Sequence, residues 1–123
     1  MPTPTPNPPK VIVQASRTQL REGADSTITF STNQFVQQDL FVHYSVSGRA
    51  ILNVDYALSG APGMVIIPAN QNSVSILLHS IPDNVREPNG EPAVIKVEPG
   101  NGYFVPANKD ANRVVVLIKD RSP

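Results

Sequence analysis

Apolar and polar residues alternate in short stretches along the chain, and this alternation predicts β-strands. Neighbouring side chains of a strand point to opposite faces, so a period of two gives one apolar and one polar face. In the stretch 40–47, Leu40 and Val42 fall on one face and Phe41 and His43 on the other. Stretches of this kind, rich in β-branched residues and separated by turn residues, predict seven strands. They cover residues 11–15 with a continuation through 20–21 after a kink, 26–32, 40–47, 64–68, 73–81, 93–98 and 113–119.

Seven short strands in a chain of 123 residues predict an all-β domain with a single core. No window has the 3.6-residue apolar period of a helix, and thirteen prolines would interrupt most helices. The expected fold is therefore a seven-strand antiparallel immunoglobulin-like β-sandwich with Greek-key connections and almost no helix.

The first nine residues, MPTPTPNPP, do not fit this pattern. They contain five prolines and two threonines, and their only apolar side chain besides proline is Met1. Such a segment cannot pack and forms an extended spacer of about 3 Å per residue. We divide the chain into a Pro/Thr-rich linker, 1–9, and a β-sandwich domain, 10–123. The linker indicates a module tethered within a multidomain protein, and a tail of no consequence is the alternative.

Composition excludes several classes of function. Ten basic residues balance ten acidic ones, so no net charge attracts a polyanion, and no nucleic-acid partner is expected. No apolar run is long enough to cross a bilayer. The absence of cysteine excludes disulfides, thiolate catalysis and zinc–thiolate sites. Because Pro/Thr linkers are common between extracellular domains, we predict an extracellular or cell-surface location, with any export signal in a parent protein.

No catalytic constellation can be argued from the sequence. His43 and His79 lie in predicted strands, without a second histidine at metal-ligand spacing, and are expected to face outward. There is no nucleophile elbow, phosphate-binding glycine loop or HExxH motif. Glu87 and Glu91 could pair as glycosidase acids, but they share a proline-flanked loop without an aromatic platform. The chain is predicted not to be an enzyme.

Seven short motifs, in order, resemble those of Calx-beta domains, the immunoglobulin-like sandwiches of the sodium/calcium exchanger regulatory-domain type, in a bacterial extracellular variety. They are Leu20, Glu22 and Gly23 (LxEG); residues 43–48, HYSVSG; Asp55 and Tyr56 (DY); residues 65–69, VIIPA; residues 81–88, IPDNVREP; Gly102, Tyr103 and Val105 (GYxV); and Ile118 with Asp120 (IxD). Another immunoglobulin-like or fibronectin-type sandwich would share the strands without the acidic loop residues.

The resemblance implies an adhesion, interaction or spacer module with calcium ligands in loops at one end of the sandwich. Carried over residue by residue, the candidate ligands are Glu22, Asp55, Asp83, Glu87 and Asp120. Calcium takes six to eight oxygen ligands at about 2.4 Å, and carboxylates from several loops can supply them.

The chain also departs from the family pattern at this site. Pro82 stands where the family commonly has a further aspartate, and Arg121 and Ser122 interrupt its acidic closing run. Arg86, Lys119 and Arg121 are close enough in sequence to pair with the remaining carboxylates. Two alternatives stay open: the acids are solvated or paired with these cations, or they bind calcium weakly, with a dissociation constant of roughly 0.1–1 mM.

A carbohydrate-binding module attached to a secreted polysaccharide-degrading enzyme is the alternative function. Such modules stack sugars on exposed aromatic rings, and the lack of tryptophan weighs against this class. The remaining aromatic contacts would be Tyr44, Tyr56, Tyr103, Phe35, Phe41 and Phe104. The resemblance implies that Tyr56 and Tyr103 are packing residues instead. The expected partners are neighbouring domains of the same chain and protein or polysaccharide ligands.

Overall fold

Two β-sheets pack face to face in the computed structural model, which describes residues 9–60, 63–82 and 90–119. The first sheet has the strand order β1-β3-β7-β5 and the second has the order β2-β9-β8-β4-β6. The strands are β1 (Val11–Ala15), β2 (Gln19–Arg21), β3 (Asp25–Thr32), β4 (Leu40–Ser47), β5 (Tyr56–Leu58), β6 (Met64–Ile67), β7 (Ser73–Ser80), β8 (Glu91–Glu98) and β9 (Arg113–Lys119). The predicted all-β sandwich is confirmed.

The predicted alternation also holds in three dimensions. Leu40, Val42 and Tyr44 point into the sandwich, whereas Phe41 and His43 on the same strand are exposed. The inward side chains of both sheets form one apolar cluster, whose burial is the main favourable term in folding. Its fully buried members include Ile28, Phe30, Val42, Ile67, Leu78, Ala93, Ile95, Val97 and Val116.

The first predicted strand is two strands in different sheets. β1 pairs antiparallel with β3, and β2 pairs parallel with β9. The chain changes sheets at residues 16–18, where the buried Ser26 hydroxyl donates to the Arg17 carbonyl (2.8 Å) and accepts from the Arg17 amide (3.1 Å). The kink predicted before residues 20–21 is therefore a crossing between sheets.

Two short elements were not predicted. Strand β5 has only three residues, too few for a period of two to stand out, and it pairs with β7 at a sheet edge. Helix α1, Lys109–Asn112, is a single turn, whose first turn is capped by the Asn108 side chain accepting from the Asp110 amide at 2.9 Å. The other strand bounds agree with prediction to within two residues. No helix in the described ranges could cross a membrane.

The chain enters and leaves the sandwich at opposite ends. At the end we call the amino end, the Phe104 amide donates to the Pro9 carbonyl (3.0 Å) and the Val11 amide donates to the Phe104 carbonyl (3.1 Å). At the other, the carboxyl end, the Glu22 amide donates to the carbonyl of Lys119, the last residue of β9, at 2.9 Å. The first two bonds attach the chain at the start of β1 to the loop after β8, and the third continues the pairing of β2 with β9 within one sheet.

A tyrosine fixes the loop that follows β8 at the amino end. The Tyr103 hydroxyl donates to the Glu98 carbonyl (2.5 Å) and accepts from the His43 amide (3.1 Å). This arrangement resembles the tyrosine corner of Greek-key sandwiches. Gly100 makes room for it, because a Cβ there would lie 2.6 Å from the tyrosine oxygen.

Candidate functional site

Glu22 lies at the carboxyl end, where the neighbouring strands β2 and β9 finish and where β7 of the other sheet also finishes. It follows β2, and its amide donates to the Lys119 carbonyl at the end of β9. The next residue, Gly23, donates from its amide to the carbonyl of Ser80 at the end of β7 (3.1 Å). Gly23 has a φ of 92°, in the region that glycine adopts without strain. The LxEG motif therefore turns the chain across the two sheets at this end.

Asp55 lies at the same end, immediately before β5. Its Oδ2 accepts from the Ile51 amide (2.7 Å), and its own amide donates to the Ile51 carbonyl (2.7 Å). Its carbonyl accepts from the amide of Ile81, just past β7 (2.9 Å). One carboxylate oxygen therefore closes the 48–55 loop, and the backbone attaches that loop to the segment after β7.

Two buried side chains lie beneath these loops. The Ser80 hydroxyl is within 3.1 Å of the Arg21 carbonyl and 2.9 Å of the Ala24 carbonyl, so one donor serves the turn between β2 and β3. Tyr56 is fully buried, and its hydroxyl has no hydrogen-bond partner among the described residues. Burial, followed by the proximity of Tyr44 and of Asp55, raises the pKa of Tyr56 to about 12.

The predicted calcium ligands are only partly described. Glu22 and Asp55 are placed at one end, as the resemblance implies, whereas Asp83, Glu87 and Asp120 lie outside the described residues. Within 9–60, 63–82 and 90–119, no group of three or more histidines and acids is arranged to hold a metal ion. The complete ligand set therefore stays a prediction.

Of the three cations predicted to pair with these acids, only Lys119 lies within the described residues. Arg86 and Arg121 lie outside the described ranges. Lys119 is exposed and makes no ion pair with any described residue. Which of the two sequence-based alternatives applies at this end is therefore a question for experiment.

Both histidines face outward, as predicted. His43 is exposed on β4, and His79 is half-exposed on β7, with its Nδ1 2.5 Å from Oδ1 of Asp25 on β3. This pair was missed from the sequence, because it depends on the register that places Asp25 opposite His79. An exposed pair of this kind contributes little to stability.

The aromatic side chains divide into buried tyrosines and exposed phenylalanines. Tyr44, Tyr56 and Tyr103 are buried and cannot contact a sugar, which confirms the packing role predicted for the last two. Phe35, Phe41 and Phe104 are 69%, 49% and 44% exposed. All three lie towards the amino end, in the loop after β3, near the start of β4 and beside Lys10.

Comparison with known proteins shows the fold. No protein-family model and no curated protein matches the chain. Eighteen chains of solved structure match it, one of them described as "Crystal structure of CBD12 from CALX1.2". That match has a TM-score of 0.69 at 18% sequence identity and covers 90% of this chain and 44% of the other. The chain therefore has the Calx-beta fold, and the resemblance read from its motifs is confirmed at the level of the fold.

Proposed function

We propose that this chain is a non-catalytic Calx-beta-like module of a multidomain secreted or cell-surface protein, where it spaces and orients its neighbours. The main support for this proposal is the path of the chain through the sandwich. It enters at the amino end near Lys10 and leaves at the carboxyl end at Lys119. Neighbouring segments are thereby held on opposite ends, separated by strands of eight residues, about 25 Å long.

Hydrogen bonds at both ends of the module would help it to orient the segments attached there. The Pro9, Val11 and Phe104 backbones are joined at the amino end, and those of Glu22 and Lys119 at the carboxyl end. These bonds would limit the directions in which an attached segment leaves the core. The Pro/Thr-rich residues 1–9 would then add a semi-rigid length to the module.

Two copies of the chain in tandem test the spacer role. The two copies are joined through the second copy's own residues 1–9 and compared with the single chain by small-angle X-ray scattering. We expect a maximum dimension about twice that of the single chain, because each module adds its length in line. A tandem protein as compact as two modules packed side by side would contradict the spacer role.

We further propose that the acidic loops at the carboxyl end bind calcium weakly. Glu22 and Asp55 lie at this end, and the Oδ1 atom of Asp55 makes no hydrogen bond with a described residue. Carboxylate oxygens of this kind are what calcium prefers. Asp83, Glu87 and Asp120 follow β7 and β9 in the sequence and would complete the ligand set.

Thermal unfolding in calcium and in chelator tests this second proposal. For a dissociation constant of about 0.5 mM, calcium at roughly ten times that value adds about 1.4 kcal/mol, a rise of several degrees in midpoint. Asp55→Asn should abolish the rise. Asp39→Asn is the matched control, because Asp39 Oδ1 closes a loop at the amino end by accepting from the Ala69 amide (2.9 Å). Equal midpoints in calcium and chelator would show that the site is lost.

The exposed phenylalanines support one further candidate, polysaccharide binding at the amino end. Phe35, Phe41 and Phe104 offer apolar rings to a sugar face. Retention of the chain on insoluble cellulose or chitin, lost in Phe41→Ala, would support this function. Passage of the unmodified chain through both matrices would leave the spacer proposal as the account of this module.

A further inference from the structure

The dipeptide Asn101–Gly102 forms an exposed turn in the loop after β8. Gly102 has a φ of 89°, whereas Asn101 is not among the residues with positive φ. This combination is typical of a type II turn, which requires glycine at its third position. Both residues are exposed to solvent. Because glycine has no side chain, the Gly102 amide is not shielded by one.

Hydrogen bonds hold the residues around this turn but not the turn itself. Tyr103, directly after it, is fixed by the Glu98 carbonyl and the His43 amide. Within the described part of the chain, neither Asn101 nor Gly102 makes a hydrogen bond through backbone or side chain. Rotation about the bond between the Asn101 α-carbon and its carbonyl is therefore not opposed by a bond that must break.

We propose that Asn101 is a site of spontaneous deamidation. The Gly102 amide nitrogen, losing its proton, attacks the Asn101 side-chain carbonyl carbon, and ammonia leaves with the departing side-chain nitrogen. The product is a five-membered succinimide. Water then opens either of its two carbonyls, which gives aspartate or isoaspartate at position 101. The only co-reactant is water, and no oxidant or reductant is needed.

The modification would act on the attachment of the amino-terminal segment. Phe104 lies two residues beyond the turn, and its backbone holds Pro9 and Val11. Isoaspartate inserts an additional methylene into the main chain between the fixed Glu98 and Tyr103. The inserted length displaces the segment that carries Phe104, and the product also adds one negative charge at the amino end. Deamidation would thus loosen the point where the linker meets the domain.

Peptide mass spectrometry of the full chain, incubated in mildly alkaline buffer, tests the site. A synthetic peptide of residues 98–105 gives the unrestrained rate. We expect the Asn101 peptide of the folded chain to gain about 1 Da at a rate within about tenfold of the synthetic peptide. Full retention of the amide, after several half-lives of the synthetic peptide, would overturn the proposal. The second Asn–Gly pair, Asn89–Gly90, is followed in its own peptide.

Hydrogen exchange at the Val11 amide tests the consequence. In converted protein we expect exchange at Val11 to be faster by about tenfold or more, because its bond to Phe104 opens more often. Asn101→Gln, incubated identically, should keep the original rate. Asn101→Asp carries the charge without the inserted methylene and should also stay close to the original rate. Unchanged exchange in converted protein would overturn the proposed effect on the linker.

Discussion

The Tyr103 hydroxyl makes hydrogen bonds with two backbone groups. It donates to the Glu98 carbonyl and accepts from the His43 amide, and the tyrosine is buried. Tyr103→Phe removes the oxygen and with it both hydrogen bonds. Because each such bond contributes about 0.5–1.5 kcal/mol, we expect the free energy of unfolding to fall by about 2 kcal/mol. Urea denaturation measures it, and a change below about 0.5 kcal/mol would contradict this role.

Tyr56 provides the matched opposite case. Its hydroxyl is buried without a partner among the described residues, so Tyr56→Phe removes an unsatisfied group and keeps the ring. At neutral pH we expect the free energy of unfolding to stay unchanged or to rise by up to about 1 kcal/mol. A loss comparable to that of Tyr103→Phe would contradict this assignment.

The pH dependence of stability gives Tyr56 a second test. Its pKa is raised from 10.0 to about 12 in the folded chain, so above pH 10 the unfolded state loses this proton first. The contribution of Tyr56 to the free energy of unfolding is therefore fully present below pH 10. It is lost as the pH rises from 10 towards 12, by roughly 2–3 kcal/mol in total. Tyr56→Phe should lack this part of the alkaline loss. Parallel urea titrations of both proteins at neutral and alkaline pH measure the difference, and equal losses would contradict it.

Sequence predicted the burial of these tyrosines but not the roles of their hydroxyls. The DY and GYxV motifs implied packing, and both residues are buried. The hydrogen bond from the His43 amide to Tyr103 spans 60 positions of the chain and depends on the pairing of β4 with β8. Such register information is absent from local alternation, which is also why the Asp25–His79 pair was missed.

At the scale of elements, prediction succeeded where a strand is long and one of its faces is buried. The eight residues of β4 were predicted with their observed bounds. Eight residues contain four repeats of the two-residue period, and these define the apolar face clearly. The three-residue β2 and β5 carry too few positions for a period. Their sheet membership is decided by tertiary pairing, β2 with β9 and β5 with β7.

The turn after β4 depends on glycine for both conformation and space. Gly48 has a φ of 97°, and a Cβ there would lie 2.3 Å from the Pro92 carbonyl oxygen on β8. Gly60 has a φ of 84°, and a Cβ there would lie 3.8 Å from the nearest atom of the described residues, in Ile76. Both alanine variants incur the cost of positive φ, about 1–2 kcal/mol, and only Gly48→Ala adds a backbone clash.

We expect Gly48→Ala to lower the free energy of unfolding by at least about 1 kcal/mol more than Gly60→Ala, because its backbone must also shift. Thermal and urea unfolding of the two variants give the comparison directly. Equal losses would show that β4 and β8 do not approach as closely at this turn as the structure places them.

At the scale of the whole molecule, the structure describes two of the five predicted calcium ligands, and these two lie at the same end. Glu22 and Asp55 both lie at the carboxyl end because Glu22 follows β2, which finishes there, and Asp55 precedes β5, which begins there. Whether their carboxylates converge with those of Asp83, Glu87 and Asp120 depends on loop conformations that alternation does not encode. The calcium proposal therefore rests on placement, and thermal unfolding in calcium and in chelator, with its Asp39→Asn control, decides it.

The central claim is that the chain enters and leaves the sandwich at opposite ends, held there by its own hydrogen bonds. Because the chain has no cysteine, spin labels at Lys10→Cys and Lys119→Cys report one distance by double electron–electron resonance. We predict a single narrow distribution centred beyond about 20 Å, since the labels are separated by the length of the strands. Lys10→Cys with Ser31→Cys gives the short reference distance, because Ser31 pairs with Ile12, two residues after Lys10. A broad distribution, or a distance as short as the reference, would contradict the account.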